Sequence, residues 1–370
     1  MNIAILTLSA SDNCGSLLQA YALQQVLISA GHEVEILDFI TKKSKKMYRI
    51  FHPSYFKDPK KLIGSFVRYD KLKSQKKDYQ DFRNNYLIMS MHKYSSSSDL
   101  VLADGKYDLI VCGSDQVWNT DMWDFDDAYL LKWCKISKKA GYAVSLGDKK
   151  NERLEGLKEK LAEIDDFFAV SVREKSALIR LNRIYTKNVE LCLDPTLLLE
   201  YEEWETLTDI NVVPQIPFIF YYSFNYGDEI KNQMVALFAA KAGLPVYVIN
   251  VSRWCDGKEK EYGFKICKRS GPIAFLSLMR YCKFSLVESF HGTLFSYIFQ
   301  KQFWFLKNSD DNILDDRIND IMEILQTNNR VLHPTDLLEK MEMEMSYEFE
   351  STELIKLKNE SFNFIASLVN

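Results

Sequence analysis

The sequence predicts an α/β protein made of two Rossmann-like halves facing across a cleft. Two observations carry that expectation. Short apolar runs alternate with longer segments of helical apolar spacing, the rhythm of strand, helix and strand in a parallel sheet. That rhythm runs twice, broken around 200–215, where Asn211-Val-Val-Pro-Gln-Ile-Pro217 reads as a hinge or linker. A length of 370 residues fits two domains of ordinary size.

Residues 2–8 predict a short buried strand and 9–15 a polar loop. Over 16–30, Leu17, Leu18, Tyr21, Ala22 and Val26 fall at helical spacing, and Gly31 closes the helix. A strand over 33–39 completes a βαβ unit. The first half continues with strands over 109–112, 141–145, 168–172 and 190–193, and helices near 151–163 and 174–182. The second half has strands over 218–222, 246–250, 284–287 and 303–306. Its helices lie near 228–241, 272–280, 291–300 and 313–325. A last helix near 351–368 is expected to pack back on the first half. The expected division is 1–205, with a basic helical insertion over 41–100, then 206–350, then the helix within 351–370.

Charge is uneven. The chain carries 47 Lys and Arg against 51 Asp and Glu, a net −4 that says little about partners. Residues 41–93 hold 15 basic and 4 acidic residues, with many aromatics among them. Residues 310–370 hold 14 acidic and 5 basic residues. A charge run of this kind is either a solvated face or a contact with an anionic membrane surface or lipid-diphosphate acceptor. The seven cysteines show no C-x-x-C spacing and are expected to be reduced thiols. No apolar stretch reaches the roughly 18 residues of a membrane span, and a strand rather than a leader opens the chain. The expected location is the cytoplasm, with a peripheral contact at the inner face of the membrane as one reading of 41–93. Neither a nucleic-acid partner nor a metal is expected; His291 has no ligand-spaced neighbour.

The chemistry is expected where strands end and helices begin, because open parallel sheets bind ligands there. Glu288-Ser289-Phe290-His291-Gly292-Thr293 sits between two apolar runs and reads as strand, turn and helix start. Such a start attracts anions, and an imidazole beside it is a candidate catalytic group. Asn13-Cys14-Gly15-Ser16 is either a helix cap or a ligand loop. Gly113-Ser114-Asp115-Gln116-Val117-Trp118-Asn119 is either a structural turn or a sugar contact, with carboxylate and amide groups beside an aromatic face. Arg173, in Ser171-Val172-Arg173-Glu174, is a surface ion pair or a fork for carboxylate or phosphate. Asp194-Pro195-Thr196 reads as a turn, with Asp194 left open at a strand end.

Taken in order, these motifs resemble the polysaccharide pyruvyl transferase family. The resemblance rests on Asn13-Cys-Gly-Ser-Leu-Leu-Gln-Ala-Tyr-Ala-Leu23, Gly113-Ser-Asp-Gln-Val-Trp-Asn119, Tyr142-Ala-Val-Ser-Leu-Gly147, Ser171-Val-Arg-Glu174, Leu193-Asp-Pro-Thr196 and Ser289-Phe-His-Gly-Thr293. It spans roughly residues 2–325. Cys14 stands where the family often has an aromatic residue, and 41–93 and the acidic tail match no motif. The resemblance implies a GT-B-like pair of domains, phosphoenolpyruvate as donor, a glycan acceptor (nucleotide-sugar or lipid-linked) and a pyruvate ketal as product.

Ketal formation from phosphoenolpyruvate needs a site that holds a phosphate and a carboxylate. Ser289, Gly292 and Thr293 are expected to hold the phosphate at the helix start, with His291 donating a hydrogen bond or a proton. Arg173 is expected to pair with a donor anion, aided by Lys307 and Arg317. Asn13, Gly15, Ser16, Gln19, Ser114, Asp115, Gln116, Trp118 and Asn119 are expected to face the acceptor, with Asp115 as its base. His291, Asp115 and Arg173 are the expected catalytic residues. The scheme needs no cofactor beyond the donor. The rival readings are a GT-B-type glycosyltransferase using a nucleotide sugar, and a non-enzymatic scaffold of polysaccharide assembly.

Overall fold

Strands that are buried on both faces read as near-continuous apolar runs, and they are the signature of parallel sheets covered by helices. Ile3, Ala4, Ile5 and Leu6 are such a run, with no exposed surface. In the computed structural model, the described residues are all but 52, 148–153, 310–313, 337, 343, 348–349 and 370. Their strands form two sheets, and every pairing in both is parallel.

The first sheet holds β1 (Asn2–Leu6), β2 (Glu33–Phe39), β3 (Met89–Tyr94), β4 (Leu109–Asp115), β5 (Lys138–Val144), β6 (Ala169–Val172) and β7 (Val189–Leu191). Its order is β3-β2-β1-β4-β5-β6-β7. The second holds β8 (Ile219–Tyr222), β9 (Val246–Val248), β10 (Lys265–Ile266), β11 (Phe284–Val287), β12 (Gln302–Leu306) and β13 (Val331–Leu332). Its order is β10-β9-β8-β11-β12-β13. Counted from its own first strand, the second sheet repeats the order 3-2-1-4-5-6 of the first. The order reverses between β1 and β4 and again between β8 and β11, so each half has a topological switch point.

The turn after β1 leads into the helix Cys14–Ser29, which starts two residues before the predicted position. Asn13 is the reason: its side-chain oxygen accepts from Gly15 N at 2.9 Å and Ser16 N at 3.4 Å. The predicted helices near 151–163 and 313–325 begin on residues outside the described set. Their described parts are Leu154–Lys160 and Asp316–Ile324. Three strands were not predicted. β3 is an edge strand whose Met91 is fully exposed, and β10 and β13 are two-residue edges.

The basic insertion forms the helices Lys42–Met47, Pro59–Val67 and Tyr69–Tyr86 before β3. Its long helix wedges between the two halves. Tyr79 Oη donates to Asn250 Oδ1 at 3.1 Å and lies 3.3 Å from Cys14 Sγ. Asp78 accepts from Arg269 Nε at 2.8 Å and Ser270 N at 2.9 Å. The final helix, Thr352–Val369, crosses back to the first half, where Ser361 Oγ accepts from Leu193 N at 2.9 Å. All seven cysteines are free and buried. Among the described residues, no helix is long and apolar enough to cross a membrane.

Candidate active site

The carboxyl ends of both sheets face one cavity of about 400 Å³. Its lining comes from the turn after β1 (Ser11, Asn13, Ser16), the end of β4 (Asp115, Gln116) and the end of β6 (Arg173). Across from these stand Glu288, Ser289, Phe290 and His291 after β11, and Lys307 after β12. The volume is in the range of small-molecule sites.

β4 ends in an unusual backbone. Asp115 adopts φ +75°, a left-handed conformation that is costly for a residue with a side chain. Its carboxylate is held on three sides. Ser16 Oγ donates to Oδ2 at 2.7 Å, Gln116 N donates to Oδ1 at 2.9 Å, and Arg173 Nη2 lies 3.4 Å from Oδ1. The positive φ aims this side chain at the Ser16 helix start instead of along the strand.

Arg173 is the centre of the cluster, with a side chain only 1% exposed. Nη1 donates to Asp194 Oδ2 at 2.8 Å, Nη2 reaches Asp115, and Nε lies 3.8 Å from Glu174 Oε2. The guanidinium plane stacks over the Phe290 ring at 4.3 Å, a contact that crosses from one domain to the other. Asp194 is fixed in turn by Thr196 N at 3.1 Å, Thr196 Oγ1 at 2.8 Å and Ser114 Oγ at 3.4 Å. A buried cation of this kind is tolerated because carboxylates neutralise it on two sides.

His291 enters from the second domain. Ser289 caps the helix Phe290–Ile298, accepting from Gly292 N at 3.0 Å, and this sets the imidazole one position inside the first turn. Nε2 stands 3.4 Å from Asp194 Oδ2, so Asp194 touches both Arg173 and His291. No hydrogen bond satisfies this buried nitrogen. Gly15 makes the approach possible. A Cβ at that position would lie 2.2 Å from His291 Nδ1. The glycine of the first loop is therefore the seat of the histidine from the opposite domain.

Electrostatics follow the packing. For Asp194, burial raises the pKa, but the charges of His291 and Arg173 outweigh it and hold the carboxyl far below its usual range. Asp115 is lowered on the same terms: burial opposes, and Arg173 and His291 prevail. Glu174 goes the other way. Burial pushes it up to about 7, against the pull of Arg173 and its hydrogen bond from Ser145. Asp124, on the cavity wall, is also raised by burial, although Tyr48 Oη donates to its Oδ2 at 3.2 Å. Its Oδ1 is buried without a hydrogen-bond partner.

A second pair lies behind the second-domain wall. Lys231, fully buried, donates to Glu288 Oε2 and, at 2.8 Å, to Asn308 Oδ1. Glu288 Oε1 accepts from Ser223 Oγ at 2.9 Å and from the Phe224 and Asn225 amides. Arg317 reaches the cavity already paired, with Nε and Nη2 on Asp315 at 2.9 and 2.5 Å. Beyond Arg253 the cavity continues into a groove of about 350 Å³ walled by the insertion. Asn13, Tyr48, Tyr222, Phe224 and Arg253 line both spaces.

Not every residue singled out in the sequence reaches the cavity. Trp118 is 1% exposed and packs in the first-domain core, where Nε1 donates to Tyr129 O at 3.0 Å. Gln19 is buried, its amide donating to Thr7 Oγ1 and Ser16 O, both at 2.8 Å. Asn119 lies against Gly147 and donates to Gln116 Oε1 at 2.8 Å. Ser114 is spent on Ala143 O and Asp194, and Thr293 on Ser289 O. Gly292 is buried against Ser289 and Val287. These six support the site from behind instead of lining it. Conversely, Phe290, Glu288, Asp124, Tyr48 and Arg253 line the cavity, Asp194 and Lys231 support it from behind, and none of the seven was among the predicted contacts.

The chain matches the family described as polysaccharide pyruvyl transferase over residues 13–310. No curated protein matches it by sequence. Among solved structures it is similar to UDP-GlcNAc 2-epimerase from Methanocaldococcus jannaschii, with a TM-score of 0.56, 12% identity, and coverage of 100% of this chain and 99% of that one. It is also similar to UDP-GlcNAc 2-epimerase from Neisseria meningitidis, with a TM-score of 0.51, 11% identity and coverage of 100% of each chain. A putative UDP-N-acetylglucosamine 2-epimerase from Listeria monocytogenes gives a TM-score of 0.54 at 8% identity, covering 99% of this chain and 90% of that one. Identities this low speak to fold alone, and the fold they share is the GT-B arrangement of two Rossmann-like domains. With the match extending over most of the sequence, the chain belongs to the polysaccharide pyruvyl transferase family.

Proposed function

We propose that this chain transfers pyruvate from phosphoenolpyruvate to two hydroxyls of a saccharide, as a ketal, at the Arg173–Asp194–His291 cluster. The observation that carries the reading is the double engagement of Asp194. It joins a guanidinium of its own domain to an imidazole of the other, and both of those groups line the shared cavity.

The reaction balances without a further reactant. The methylene carbon of the donor gains a proton, and the cation formed at C2 is attacked by the first hydroxyl. Phosphate leaves, and the second hydroxyl closes the ring. Of the two hydroxyl protons, one is matched by the new methyl hydrogen and the other leaves on phosphate. His291 serves as the proton donor, with Asp194 beside Nε2 orienting the ring. Arg173, on the cavity wall, supplies positive charge to the donor carboxylate or phosphate, and Lys307 adds charge from the facing wall. Asp115 serves as the anchor of Arg173, since a carboxylate held below its ordinary pKa is a weak base. Asp124 is the better base for the acceptor: its pKa is raised, one oxygen is unpartnered, and it lines the cavity beside Tyr48, which also walls the insertion groove.

The test has two arms. A thermal-shift titration compares phosphoenolpyruvate with UDP-N-acetylglucosamine; only the true donor should raise the melting midpoint. Mass spectrometry then compares surface glycan from cells with and without the protein. The expected product is heavier by pyruvate less one water. Stabilisation by the nucleotide sugar alone, with unchanged glycan mass, refutes the reading.

A further inference from the structure

The insertion helix Pro59–Val67 has two faces of opposite character. Its inner face is seated directly on the second domain. A Cβ on Gly64 would fall 1.7 Å from the Cys255 carbonyl oxygen, so only glycine allows this contact. Just beyond, Arg68 pairs with Glu259 at 2.6 Å, with side chains only 12% and 5% exposed. Tyr55 Oη donates to Ser252 O at 3.1 Å just before the helix. The helix is thus a fixed ledge.

Its outer face is apolar and exposed. Ile63, Phe66 and Val67 fall at i, i+3 and i+4, and they are 63%, 64% and 80% exposed. Phe56, from the preceding turn, is 72% exposed. The Phe51 ring lies 4.8 Å from Phe66 and stacks at 6.1 Å on Tyr69. A soluble surface rarely gathers this many large apolar side chains without a partner for them.

We propose that this ledge docks on an anionic lipid bilayer. Charge complementarity selects that occupant. Residues 42–73 hold 11 Lys and Arg against 2 Asp, a surplus of nine, and Lys57, Lys60, Lys71 and Lys73 around the patch are exposed. An apolar stripe flanked in sequence by exposed lysines fits the boundary between acyl chains and acidic headgroups. A second copy of the chain would bring the same positive surplus against itself. The surface is also continuous with the site, since Tyr48, Tyr55 and Lys61 of the same insertion wall the groove that opens from the cavity. Docking therefore brings the groove to the bilayer surface.

Flotation of the full chain with vesicles tests this, and it needs neither donor nor acceptor, so it stands apart from the proposed reaction. Phosphatidylglycerol-containing vesicles should carry the protein, and phosphatidylcholine vesicles should not. The double variant Phe66→Asp, Val67→Asp should lose about tenfold or more of the binding. Its melting midpoint should change little, because both side chains are mostly exposed and Phe66 gives up only its contact with Phe51. Three results overturn the proposal: no binding to anionic vesicles, equal binding by the variant, or self-association of the wild type that the variant abolishes.

Discussion

β4 of the first sheet and β11 of the second occupy the same place in the same topology, and each leads into a carboxylate at its carboxyl end. Asp115 ends β4 and Glu288 follows β11. Each carboxylate meets a buried cation, but the cations differ. Arg173 is shared with Asp194, stacks on Phe290 of the opposite domain and lines the cavity. Lys231 is buried behind its wall, bound to Glu288 and Asn308 of its own domain, and does not line the cavity. The same topological position therefore serves two ends. In the first half it builds a forked cation on the cavity wall; in the second it locks a loop. Guanidinium suits the first use because its planar fork can engage two carboxylates at once, whereas an ammonium is a point charge.

Removing each cation should separate the two uses. Lys231→Met leaves Glu288 buried without its charge partner, and the expected loss is about 3–5 kcal/mol of unfolding free energy, read by denaturant titration. Arg173→Met should abolish phosphoenolpyruvate-dependent stabilisation in the protein that remains folded. A Lys231→Met protein that keeps its stability, or an Arg173→Met protein still stabilised by the donor, would erase the distinction.

A smaller effect sharpens it. Glu174 has a folded pKa near 7, above the ordinary carboxylate value, so the native state binds its proton more tightly than the unfolded chain does. Its contribution to stability is complete below the unfolded pKa of about 4.5 and is lost as pH rises toward 7. The window amounts to an order of magnitude of 3 kcal/mol. Glu174→Gln should flatten the fall in melting midpoint between pH 5 and 7.5 and gain most at the upper end. Asp115 and Asp194, both lowered, act in a different window: their stabilisation is present above their unfolded pKa and lost only in stronger acid. An unaltered pH profile for Glu174→Gln would count against a neutral carboxyl beside Arg173.

The fold was legible where apolar runs are bounded by turns. β2 and β11 match their predicted limits to the residue, because each run stops at a polar or glycine-bearing segment. β3 was not legible: Met-Ser-Met-His-Lys-Tyr has little apolar surface to bury at a sheet edge. In the site, the rule that ligands meet strand ends drew attention to Asp115, Arg173 and His291, and the structure places all three on one cavity. It could not say which side chains of a turn face inward, so Trp118 and Gln19 looked no different from Gln116 and Ser16. Nor could it pair groups distant in sequence. Lys231 and Glu288 are 57 residues apart, and Asp124 lies in a loop without periodicity. Gly15 carried a signal that needed the other domain to interpret, since its missing side chain makes room for His291.

The central claim is that the donor binds where Arg173, Asp194 and His291 converge. Calorimetric titration of phosphoenolpyruvate into wild type and His291→Ala tests it without knowledge of the acceptor. Wild type should bind. The variant should bind about 10- to 100-fold more weakly, the loss of one charge-assisted hydrogen bond. Equal affinity for the donor in both proteins would contradict the account.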